Sequence, residues 1–134
     1  MQRHVHVVVR VLLGLFFAVF GLNGFVNFIP PPETSPAGEA FLTALAATGY
    51  MLPLIKGTEL GVGVLLVSGR CVPLALVLLA PVTVNILLFH VVLDPAPVLP
   101  LILLAGQLYL AFVHRGAYEP LFAGVTPPPP RSKP

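Results

Sequence analysis

The sequence predicts an all-α integral membrane protein, a four-transmembrane-helix bundle with a short interfacial helix between the first and second spans. Three observations lead there. Of 134 residues, 57% are hydrophobic and only 9% charged, with a mean hydropathy of +0.96, whereas soluble domains carry roughly a quarter charged residues. The apolar residues fall into four runs, separated by breaks rich in Pro, Gly and charge. Arg3, Arg10, Arg70, Arg115, Arg131 and Lys133 then gather on one side of such a bundle, and Glu33, Glu39 and Asp94 on the other. By the positive-inside rule both termini are cytoplasmic.

At this length one unit is expected, a transmembrane domain over 1–122 followed by a proline-rich cytoplasmic tail over 123–134. The single Cys71 excludes an internal disulfide and any CxxC redox motif, and it reads as an inert small hydrophobe. The formal charge of +2 comes from residues scattered at segment ends, so no nucleic-acid surface is expected. Arg3 and Arg10 precede an apolar stretch without an A-x-A-like site behind it, which predicts an uncleaved first helix and not a signal peptide.

The first span covers about 5–29 and is stopped by Pro30-Pro31-Pro32. Gly14, Ala18 and Gly21 give it a small-residue stripe for close packing, and Asn23 and Asn27 share a face at i,i+4. Ser35-Pro36 has the form of an N-cap with proline at the first helical position. The short helix that follows ends at Gly49; it lies at the interface or folds back over the bundle mouth. The second span, 51–67, carries a GxxxG pair, Gly57 and Gly61. Ser68-Gly69-Arg70 turns the chain into the third span, 71–93, where Pro81 should kink the helix. After Asp94-Pro95-Ala96-Pro97 comes the fourth span, 98–114, then a short interfacial segment from Arg115 to Phe122.

Lys56 and Glu59 are the anomaly. Each charge costs about 2.5–3.5 kcal/mol at mid-helix, and Leu, Ile or Val returns roughly 0.3–0.6. The nine such residues of this run therefore offset roughly 3–5 of about 5–7 kcal/mol, so the helix needs neighbours. The alternating topology supplies them. Asn23, Asn27, Lys56, Glu59, Asn85, His90 and Gln107 all fall within roughly 15 Å of one membrane surface at 1.5 Å per residue. A polar pocket in the outer leaflet is expected there. The plain alternatives stand beside it. Asn and Gln inside bundles commonly just bond neighbouring helices, at about 0.6 kcal/mol each; Lys56 and Glu59 can be a structural i,i+3 ion pair; a lone His90 is commonly structural. No nucleophile elbow, phosphate loop, HExxH or carboxylate cluster is present, so no metal site is expected, there is no autonomous catalytic motif, and catalytic residues are left unassigned.

Arg10 with GLFFAVFGLNGF (14–25), GTELGVGVLLVSGR (57–70) and LVLLAPVTVNILLFHVVLDP (76–95) together resemble the DoxX family of small four-helix membrane proteins. The resemblance covers about 10–122, and its most specific element is the spacing from Glu59 to Gly69-Arg70. It implies a bundle in a bacterial inner membrane. It also implies a link to membrane oxidoreductase systems, among them thiosulfate:quinone oxidoreductase subunits and thiol or oxidative-stress complexes. The expected role is an accessory subunit whose pocket takes a quinone or a lipid, with no covalently bound cofactor. Its expected partners are the bilayer, further copies or larger membrane-complex subunits. The competing expectations are a purely structural subunit and, least favoured, a proton pathway or transporter, because the inner halves of the spans hold almost nothing polar.

Overall fold

A computed structural model describes residues 2–124, with helices and no strand among them; the tail expected over 123–134 lies outside the described residues from 125 onward. Helix α1 (Gln2–Val26) is followed by α2 (Pro36–Ala47), α3 (Met51–Ser68), α4 (Val72–Leu88) and α5 (Val98–Val113). Among the described residues the last elements are a single 3-10 turn (Arg115–Ala117) and the four-residue α6 (Glu119–Phe122).

The tightest pairing is between α1 and α3, which run antiparallel. It depends on missing side chains. A Cβ on Gly14 would lie 2.8 Å from the Val67 backbone nitrogen, one on Gly63 would strike the backbone of Ala18, and one on Gly21 would strike that of Leu60. In lipid, where helices gain nothing hydrophobic by meeting, such close approach supplies the dispersion contacts that hold them. The packing role expected of Gly57 and Gly61 is not found among the described residues. A Cβ on Gly57 would find only the Phe25 ring, at 4.0 Å, and one on Gly61 nothing within 4 Å. At 3.6 residues per turn these two glycines point about 100–140° away from the Lys56–Gly63 line that faces α1.

Helix α1 stops at Val26, short of the expected boundary at 29. The side-chain amide of Asn23 donates to the Ile29 carbonyl (3.2 Å) and its oxygen accepts from the Ile29 N–H (2.6 Å), while Asn27 takes a left-handed φ of 53°. Asparagine tolerates that conformation and ends helices with it. At the other end of the pair, Gly69 (φ 72°) forms a left-handed cap on α3. The Arg10 side chain fills the space a Cβ there would need and donates to the Leu66 carbonyl at 2.9 Å. Arg10 is thus more than a topology signal; it places a cation on the carbonyl end of α3, where the helix dipole favours it. Cys71, two residues on, is exposed with φ 51°.

Helix α4 runs unbroken through Pro81 and passes into a π-helical turn, Phe89–Leu93, closed by the Asp94 N–H donating to the Phe89 carbonyl at 2.9 Å. The core joins α1 (Leu13, Phe17), α3 (Val62, Leu66), α4 (Val72, Ala75, Leu76, Leu79) and α5 (Leu103, Leu110). Tyr118 ties the segment after α5 back to α4 by donating to the Pro73 carbonyl at 3.0 Å, and burial raises its phenol above the ordinary 10.0. Outward faces are apolar, with Leu12, Val26, Val64, Val92, Ile102 and Phe112 among the exposed residues, as a lipid solvent requires. Three helices are long and apolar enough to cross a membrane, His4–Val26, Met51–Ser68 and Val72–Leu93. The 16-residue α5 is apolar but shorter, about 24 Å at 1.5 Å per residue.

Candidate functional site

At the end where α1 finishes and α3 begins, the helices enclose a cavity of about 920 Å³, at the upper part of the range for small-molecule sites. Its walls are largely apolar, with five phenylalanines among them. Phe16, Phe17 and Phe20 come from α1, Phe41 from α2 and Phe89 from the π-turn. Phe16 stacks on Phe20 with ring centroids 4.5 Å apart, and Phe41 lies 5.8 Å from Phe89. Against them stand Lys56 and Glu59 from α3, Asn85 from the end of α4, His90 from the π-turn, Glu39 from the first turn of α2, and Glu33 and Asp94 from the connecting segments.

The ion pair is built by the glycine face of α1. Glu59 is 3% exposed, and its Oε2 accepts from Lys56 Nζ at 2.8 Å. The stem of Lys56 lies where a side chain on Gly24 would have to be, and a Cβ on Gly21 would reach to 3.0 Å of the Glu59 carbonyl carbon. Loss of either partner would leave the other uncompensated. Lys56 retains 30% side-chain exposure, so two of its three N–H bonds are free to meet a ligand.

Helix α2 roofs the cavity and is fastened at its first turn. Ser35 accepts from the Gly38 N–H (3.1 Å) with its hydroxyl oxygen and donates its hydroxyl proton to the Leu93 carbonyl, while the Ser35 N–H donates to Asp94 Oδ1 at 2.9 Å. Gly38 is buried against the Phe89 ring, which a Cβ there would meet at 3.0 Å. These contacts seat α2 on the π-turn, over the mouth rather than apart from it.

Four of the seven expected pocket residues, Lys56, Glu59, Asn85 and His90, line this cavity. The other three do not. Asn23 spends its amide ending α1, Asn27 is exposed beyond that helix, and Gln107 is buried lower down, donating to the Leu76 carbonyl at 2.9 Å. The aromatic walls and the Ser35–Asp94 fastening were not anticipated from the sequence. The signal for the first was present in Phe16, Phe17 and Phe20, at i, i+1 and i+4 beside Gly21. No group of three or more His, Cys, Asp or Glu able to hold a metal occurs among the described residues.

The DoxX family pattern matches residues 5–91, from the start of α1 into the π-turn. The chain belongs to the DoxX family. No curated protein and no solved structure matches it. The match takes in Lys56, Glu59, Asn85 and His90 and stops before Asp94 and α5. Membership, with the three long apolar helices, makes this a DoxX-family membrane protein embedded in the bilayer.

Proposed function

We propose that this DoxX-family chain is an inner-membrane accessory subunit of an oxidoreductase or other quinone-linked system. In this reading it crosses the membrane four times, keeps both termini in the cytoplasm, and holds a quinone-like or lipid-like molecule in the cavity under α2. One observation carries the reading: the Lys56–Glu59 pair, its carboxylate buried, opening onto a large cavity whose apolar walls include five phenylalanines. Charges kept inside a membrane segment are costly and mark function by default. The walls suit a flat ring, and the polar groups suit its oxygens. The test is ligand identification by mass spectrometry on the purified chain. Wild type should carry a quinone or lipid that Glu59→Ala loses, and equal content in both would remove the pocket from the account.

The Gly57–Gly61 face, open on the outside of α3, favours a second role in assembly. It offers the close approach that GxxxG pairs give, to a further copy or to a larger subunit. Gly61→Leu should then reduce co-purification of the partner without changing the fold of the isolated chain.

A further inference from the structure

We infer that His90 is a specificity-determining residue that makes the cavity select a ring bearing a hydroxyl donor, a hydroquinone, over the corresponding quinone; this rests on the ligand cavity proposed above. The imidazole lines the cavity, and its Nδ1 lies 2.8 Å from the Ile86 carbonyl. A carbonyl only accepts, so Nδ1 carries the proton, and in the neutral ring Nε2 is left with a lone pair. Nε2 has no hydrogen-bond partner among the described residues. The Phe89 ring holds the imidazole from the side, edge-on with centroids 5.0 Å apart, so the tautomer and the ring orientation are set before a ligand arrives.

A quinone offers only acceptors, and its carbonyl oxygen against the Nε2 lone pair would be repulsive. A hydroquinone offers O–H groups, one of which can donate to Nε2 while the oxygen at the far side of the ring accepts from the Lys56 ammonium. The rest of the lining leans the same way. Glu33, Glu39, Glu59 and Asp94 add acceptors, Lys56 only donates, and the Asn85 amide and the Thr34 and Thr43 hydroxyls can do either. Hydroxyl-bearing lipids such as a diacylglycerol share this hydrogen-bond chemistry but present no ring to the phenylalanine walls.

The experiment uses the full chain in lipid nanodiscs, anaerobically and at mildly alkaline pH. Calorimetric Kd values are measured for a short-tailed benzoquinone, its hydroquinone and a short-chain diacylglycerol. One hydrogen bond gained against one repulsion predicts about tenfold tighter binding of the hydroquinone. His90→Phe should abolish that preference, and His90→Gln, which restores an acceptor near Nε2, should recover part of it. His114→Phe should leave it intact, since His114 makes the same bond to its own helix (Nδ1 to the Leu110 carbonyl, 2.9 Å) away from the cavity. Equal affinity for the two redox forms, or a preference that survives His90→Phe, overturns the inference while the cavity reading stands. Failure of both forms to bind wild type overturns the cavity reading itself. Diacylglycerol bound more tightly than hydroquinone, with the same dependence on His90, overturns the assignment to a ring.

Discussion

Adding one methyl group to α1 and one to α3 separates close packing from mere glycine content. In Gly21→Ala the new Cβ would strike the Leu60 backbone nitrogen and lie 2.9 Å from the Leu60 Cα. Backbone cannot swing aside as a side-chain tip can, so α1 must retreat by roughly 1 Å, and a gap of that size forfeits a quarter to a half of each contact's dispersion energy. Overpacking of this kind costs about 1–3 kcal/mol. In Gly61→Ala the methyl group meets nothing within 4 Å, and the helix gains about 0.5–1 kcal/mol from the lost glycine entropy. The two variants should therefore differ by about 1.5–4 kcal/mol from these two terms together. Reversible unfolding of the purified chain in mixed SDS micelles reads the difference directly. Equal stability for Gly21→Ala and Gly61→Ala would refute the account of the α1–α3 contact.

Three further outcomes follow from the same geometry. Arg10→Ala should lower stability by about 1–3 kcal/mol, because it removes a charged bond to the carbonyl end of α3, and Arg10→Lys should not fully restore it; micelle unfolding checks both. Ser35→Ala removes the N-cap of α2 and its tie to Leu93, a loss of about 1 kcal/mol for the cap alone, seen as faster hydrogen exchange over 36–47 with the rest of the chain unchanged. Thr83 is fully buried and its hydroxyl has no partner among the described residues, so the near-isosteric Thr83→Val should raise stability by about 1–3 kcal/mol, measured by the same unfolding.

The sequence makes the helices legible because lipid demands long apolar runs and the chain breaks them with Pro, Gly and charge. It makes half of the site legible for the same reason, since Lys56 and Glu59 stand out against leucine and valine. Asn85 and His90 follow from depth alone. Depth does not give direction, however, and that is where Asn23, Asn27 and Gln107 were misplaced: the first is spent on Ile29, the second lies beyond the helix end, and the third serves α4. Glycine spacing has the same weakness. GxxxG is visible in Gly57 and Gly61, but the turn of the helix gives the contact to Gly63. Arg10 and Gly69 are 59 positions apart, and nothing local shows that one side chain closes the other helix.

The apolar floor of the cavity has a consequence of its own. Below Phe17 and Glu59 the interior is sealed by Leu66, Leu79 and Leu110, each 0% exposed. The chamber is a cul-de-sac. In the proposed reading, a molecule held there enters and leaves by the same end, and its traffic is with neighbours on that side of the membrane.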